Sequence, residues 1–219
     1  MLPDPPLLLV TDRGQARRPL ADIVGAALAA GCRWISIREK DLPHDDQILL
    51  LRSFLPAARR VGARLSLHGE ATVAKLAGAD GVHLPSGSDA ALARALLGPQ
   101  KLIGLSVHNV TEAGQVAIGG VDYAVAGPAF ETPSKPGYGP EIGRQGLAAI
   151  ARAARVPVVA IGGINSVRIA EVVAAGCAGV AVMGSVMRAA DPGQEVAMLI
   201  ASLKGAIAAQ SGDPDYRAR

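Results

Sequence analysis

Val156-Pro-Val-Val-Ala-Ile161-Gly-Gly163-Ile-Asn-Ser-Val-Arg-Ile-Ala-Glu-Val-Val-Ala-Ala175-Gly-Cys177-Ala-Gly179-Val-Ala-Val-Met183-Gly-Ser185 contains one complete structural unit and the start of the next. Val156–Ile161 is short, branched and apolar. It is too short for a helix and too apolar for a strand with one wet face, so it reads as a buried parallel strand. A glycine pair follows, then Ser166–Ala175 with helical period, then Gly176 and a second apolar run, Gly179–Met183. The order is strand, turn, helix, return, strand.

The same order recurs along the whole chain. Strands are expected at Leu7–Thr11, Trp34–Arg38, Arg64–Leu67, Gly81–Leu84, Leu102–Ser106 and Tyr123–Ala126, ahead of the two just quoted. Helices are expected at Leu20–Ala30, Asp45–Val61, Glu70–Leu76, Ala90–Leu97, Thr111–Ile118, Arg144–Ala153, Ser166–Ala175 and Pro192–Ala208. The second helix is expected to bury Leu49, Leu50, Phe54 and Ala57 on one face. Gly31, Gly62, Gly120 and Gly176 punctuate the returns to the next strand. Eight such units with short links predict an α/β fold, a single (β/α)₈ barrel over residues 1–209. Residues 210–219 are polar and are expected to fray. An open doubly wound sheet would carry a glycine fingerprint after its first strand. Here that strand runs into Val10-Thr-Asp-Arg-Gly14, which is no such fingerprint.

Composition agrees. Half of the 219 residues are apolar and 19% are charged, which excludes a disordered chain. Aromatics are 3%, so Ala, Val, Ile and Leu are expected to build the core. A net charge of +3, with no aromatic platform among scattered Lys and Arg, gives no nucleic-acid partner. Nor is a membrane partner expected: no segment has the ~18 continuous apolar residues of a span. The amino-terminal stretch lacks the basic region of a signal peptide, so the cytoplasm is the expected location. Cys32 and Cys177 are expected to be reduced, buried thiols.

In such a barrel the residues just after each strand share one mouth. Gly162-Gly163 after strand 7 and Gly184-Ser185 after strand 8 lack side-chain bulk, letting backbone N–H groups approach a phosphate. Asn165 or Ser166 is the expected cap of the helix that follows. The long sixth loop, Phe130–Gly139, reads as a lid with Thr132, Ser134 and Lys135 as polar contacts. Arg38 shares strand parity with Ser36 and Trp34. If that parity faces the interior, Arg38 needs an acidic partner or a ligand anion. His68 and His108 lie at strand ends and face the mouth, His68 being the better proton-transfer candidate. His83, inside strand 4, reads as structural, and His44 as solvated. The candidate catalytic side chains are therefore His68, His108 and Lys135. The candidate substrate contacts are Ser36, Arg38, Lys40, Ser106, Thr132 and Ser134. No metal-ligand spacing is present.

Val10-Thr-Asp12, Arg38-Glu-Lys40, Gly81-Val-His-Leu84, Ser106-Val-His108, Asp122-Tyr123, Gly127-Pro128, Thr132-x-Ser134-Lys135, Ile161-Gly-Gly-Ile164 and Val182-Met-Gly-Ser185, in this order, resemble the family of thiamine phosphate synthase and thiazole tautomerase. The resemblance covers nearly the whole chain. It implies a (β/α)₈ barrel and a phosphorylated thiazole as the small-molecule partner, with its phosphate at the last two loops. It leaves a homo-oligomer open.

The synthase branch joins a pyrimidine pyrophosphate to the thiazole phosphate with Mg²⁺. Its pattern places Asn-Asp after strand 3, Asp after strand 4, and Gln before Arg-Glu-Lys. Here those positions read His68-Gly69-Glu70, Ser88 beside Asp89, and Ser36. Leu84-Pro-Ser-Gly-Ser88, Ser106-Val-His108, Phe130-Glu-Thr132 and Gly69 resemble the tautomerase branch instead, which shifts a double bond without metal. The histidine of that branch falls on Pro128, which cannot carry a proton. The expectation is thus a cofactor-free tautomerase-type enzyme using His68 or His108. One alternative is a Mg²⁺-dependent synthase using Lys40, Glu70, Asp89 and Lys135. Another is a non-catalytic binder of thiazole or thiamine phosphate.

Overall fold

The computed structural model describes residues 1–116, 120–132, 134 and 140–212. Among them are the strands β1 (Leu7–Val10), β2 (Trp34–Ile37), β3 (Arg64–His68), β4 (Gly81–Leu84), β5 (Leu102–Val107), β6 (Tyr123–Ala126), β7 (Val158–Ile161) and β8 (Gly179–Val182). They close into a parallel barrel in sequence order. The closing pair is β1 with β8, where Leu8 faces Ala181. The expected (β/α)₈ barrel is the observed fold. A short 3₁₀ turn, Arg13–Gln15, follows β1. The helices are α1 (Leu20–Ala29), α2 (His44–Arg60), α3 (Ala71–Ala77), α4 (Ala90–Leu97), α5 (Val110–Gln115), α6 (Gly143–Ala153), α7 (Ile169–Ala174), α8 (Gly184–Met187) and α9 (Pro192–Ser211).

Side-chain alternation along each strand separates two cores. Leu7, Leu9, Ile35, Ile37, Leu65 and Leu67 point outward and pack beneath the helices. Leu8, Val10, Trp34, Leu102, Tyr123, Val125, Val159 and Ala181 fill the barrel interior. The aliphatic core expected from composition holds for most of both layers. Inside, the one tryptophan meets Tyr123 edge-on at 4.7 Å. Their bulk fits because Gly104 lies opposite; any Cβ there would fall on the Tyr123 ring. Trp34 and Tyr123 are the large rings of that inner cluster, and Tyr123 lies against glycine.

Two aspartates brace the far end of the barrel in the same way. The Asp80 N–H donates to Leu65 O at 2.7 Å, and its carboxylate accepts from Leu65 N at 3.0 Å. Asp122 repeats the exchange with Ile103 and adds an ion pair to Arg94 at 2.6 Å.

Several boundaries differ from the sequence expectation. Helix α2 buries Ile48, Leu51, Phe54, Leu55 and Ala58, while Leu49 is 62% exposed. The apolar stripe is rotated because Leu49 to Leu51 are consecutive leucines and only packing chooses among them. Helix α7 begins at Ile169 rather than Ser166, because Asn165 Oδ1 accepts from Val167 N and Arg168 N and holds a turn first. Gln210 and Ser211 belong to α9 rather than to a frayed tail; Gln210 Nε2 donates to Val173 O at 2.7 Å. Residues 213–219 of that tail lie outside the described residues. Among the described residues no helix is long and apolar enough to cross a membrane.

Candidate functional site

The carboxyl ends of the strands surround a cavity of about 640 Å³. Its cations stand in two groups. Arg38 and Lys40 come from the end of β2; Arg168 and Arg188 come from beyond β7 and β8. Glu131 is the sole carboxylate lining the cavity among the described residues. This imbalance favours an anionic ligand.

The run Arg38-Glu39-Lys40 is not a solvated charge run. Glu39 is buried, accepting from the Thr11 hydroxyl at 2.7 Å and from Arg13 N at 2.9 Å. Burial raises its pKa, and the two hydrogen bonds oppose the rise. Arg13 also pairs with Asp41. Arg38 lies partly buried, 3.7 Å from Asp12, which is the acidic partner its strand parity called for. Lys40 is exposed at the cavity edge, and its pKa is lowered by desolvation and then by the neighbouring Arg38 charge.

The imidazoles meet on the other wall. His83 Nε2 and the Ser106 hydroxyl share a hydrogen bond of 2.9 Å, and the His83 ring lies 4.6 Å from that of His68. Burial, followed by the Lys40 charge, pushes His83 down to about 3. It is therefore a neutral dipole at physiological pH and not a proton store. His108 Nδ1 donates to Gly127 O at 2.6 Å, which leaves the lone pair of the neutral ring on Nε2.

The glycine turns are packed closely against other parts of the chain. Gly162 and Gly163 both have positive φ, 105° and 63°. An added Cβ on Gly163 would sit 2.5 Å from Glu131 O and 2.8 Å from Phe130 Cβ. The missing side chain makes room for the sixth loop. At Gly184 the corresponding space is taken by the Arg188 guanidinium and the Ser134 hydroxyl.

Of the residues expected at the site, His68, His108, Arg38, Lys40, Ser106, Thr132, Ser134, Gly162, Gly163, Gly184 and Ser185 line the cavity. Ser36 does not. It is fully buried in the barrel interior beneath it, because its strand parity is inward but its height is one layer too low. Lys135, and most of the expected lid, lie outside the described residues. His83, read as structural, also lines the cavity, where the register of β3 with β4 sets it beside His68. Arg168 and Arg188 were missed because they follow Asn165 and Ser185 by one helical turn, past the point where strand ends stop.

The carboxylates named for Mg²⁺ are engaged elsewhere. Glu70 faces His44 at 3.6 Å on the surface, and Asp89 caps α4 by accepting from Leu92 N at 2.9 Å. Neither lines the cavity. Among the described residues no three His, Cys, Asp or Glu side chains are grouped to hold a metal. The residues present do not fit a protein-held Mg²⁺ site of oxygen ligands.

A sequence model of the thiamine monophosphate synthase family matches residues 7–186, from β1 into α8. The chain belongs to the thiamine monophosphate synthase family. Family relatives extend over most of its length. A thiamine-phosphate synthase of Roseiflexus sp. is 43% identical over 188 residues, covering 84% of this chain and 79% of its own. One from Mycobacterium marinum is 37% identical over 212 residues, 92% of this chain and 96% of its own. Among solved structures, thiamine phosphate pyrophosphorylase from Pyrococcus furiosus superposes with a TM-score of 0.81 at 31% identity, covering 92% of this chain and 96% of that one. The family model thus spans all eight strands of the barrel.

Proposed function

We propose that the protein is a transferase of the thiamine phosphate synthase type, joining a pyrimidine pyrophosphate to a thiazole phosphate. The observation that carries this is the similarity to relatives named for that activity, 37–44% identical over most of the chain. It favours the synthase over the tautomerase expected from the loops. In the reaction the thiazole nitrogen attacks the methylene carbon of the pyrimidine. A C–N bond forms, the C–O bond breaks, and pyrophosphate leaves with the electron pair. The separate cationic groups suit two anionic ends. Arg38 and Lys40 would hold the charge that grows on the leaving group, a contribution that fixed cations make without reorganising. The β7 and β8 loops would hold the thiazole phosphate. His83, kept neutral, orients rather than titrates.

The test supplies both halves in buffer containing Mg²⁺. Equal amounts of thiamine phosphate and pyrophosphate are expected. No product at enzyme concentrations matching the substrate overturns the proposal.

A second reading, the metal-independent tautomerase, is favoured by one contact. His108 donates to the carbonyl of Gly127, so an imidazole stands beside Pro128, where the tautomerase histidine is expected. Interconversion of thiazole carboxylate phosphate tautomers without metal, lost in His108→Ala, would establish it.

A further inference from the structure

Arg188 is a partly buried guanidinium beside the cavity with no carboxylate within ion-pair distance among the described residues. Arg168, the other cation at this end, has its charge 4.1 Å over the Phe130 ring. Arg188 instead donates through Nη1 to neutral oxygens, Gln15 Oε1 and Ser134 Oγ, the latter at 3.2 Å. A guanidinium withdrawn from water and matched only by neutral acceptors lacks its counter-charge.

Two further observations show that its position is held. Gly184 carries no Cβ, and the place of one is taken by Nη1 and Nη2 of Arg188. The guanidinium therefore rests on the backbone of the β8 loop. Gln15 is turned toward it, because its amide Nε2 donates to Asp12 Oδ2 at 2.6 Å and leaves Oε1 for the arginine. Asp12 in turn faces Arg38 at 3.7 Å. A polar chain Arg38–Asp12–Gln15–Arg188–Ser134 thus runs along the rim from one cationic group to the other.

We propose that Arg188 is the side-chain ligand of a phosphate monoester in this cavity and that Gln15 is its positioning residue. The proposal rests on the cavity being a phosphate-ester site. The planar fork of arginine suits two phosphate oxygens at once, which a lysine cannot match. Arg188 then sets the preference for the phosphorylated over the unphosphorylated ligand, a task that backbone N–H groups of the glycine loops share.

Calorimetric titration with thiazole phosphate, with the thiazole alcohol and with inorganic phosphate tests it. Arg188→Met is expected to weaken thiazole phosphate and inorganic phosphate by about tenfold or more, the scale of losing a charge-assisted hydrogen bond. The alcohol is expected to bind as in wild type. Arg188→Lys recovers part of the loss. Gln15→Glu keeps the shape but gives the arginine an internal carboxylate, so it weakens the ester and spares the alcohol. Melting curves check that each variant folds. A folded Arg188→Met with wild-type ester affinity overturns the proposal, as does equal loss of ester and alcohol. Wild-type protein that binds neither ester nor inorganic phosphate defeats the phosphate-site reading itself, and the role of Arg188 with it.

Discussion

Lys40 and Gly163 show how single residues are set by their surroundings. Lys40 has its pKa lowered by desolvation and by Arg38. It is a cation below that pKa and loses its charge as pH rises through it, sooner than an ordinary lysine. Affinity for an anionic ligand should therefore fall at the alkaline end below the usual lysine range. Lys40→Arg is expected to move that limb upward, and Arg38→Gln to move it part of the way while weakening binding overall. Dissociation constants measured against pH decide both. Gly163 is held at φ 63° with Glu131 O where a Cβ would lie. Gly163→Ala should cost more than about 1 kcal/mol from the left-handed backbone alone. Urea midpoints measure the cost. The same change should weaken ligand binding indirectly, by moving Phe130 and Glu131.

At the scale of elements, the ends of helices separate structural from chemical roles. Asp89 is adjacent to the family's strand-4 aspartate position, but its carboxylate caps α4 through Leu92 N. Asp89→Ala is expected to cost about 1 kcal/mol, and Asp89→Ser to restore it, since serine also caps. Any Mg²⁺ response of the reaction should be the same in both. A changed Mg²⁺ response in the serine variant would make Asp89 a metal ligand. The aspartate braces on β3–β4 and β5–β6 are a second element-scale device. Asp80 and Asp122 each close a reciprocal pair with the preceding strand, at the end away from the cavity. The braces thus stand at one end of the strands and the cation-lined cavity at the other, the division expected of this fold.

At the scale of the whole molecule, the cavity exists because eight strand ends from distant parts of the chain meet. A ligand that bridges them should stabilise the barrel as a unit. Thiazole phosphate at a hundred times its dissociation constant is expected to add about 2.7 kcal/mol. That corresponds to a rise of about 5–10 °C in Tm for a chain of this size, read by calorimetry. An unchanged Tm would mean no such ligand site. The fold was legible in the sequence because its signal is local: an apolar run, a glycine turn and an amphipathic helix, repeated. So were the glycine turns after strands 7 and 8 and the parity that Arg38 shares with Ser36 and Trp34, which follow from strand period and position alone. What tertiary structure alone decided depends on depth and on partners from other units. It sank Ser36 below the cavity and brought His83 up to its wall. It took Glu39 inside to meet Thr11, and it spent Asp89 on a helix cap. It carried Arg188 across the rim to Gln15, 173 residues away in the chain. Periodicity states which side a residue faces, but only the closed barrel fixes its height and its neighbours.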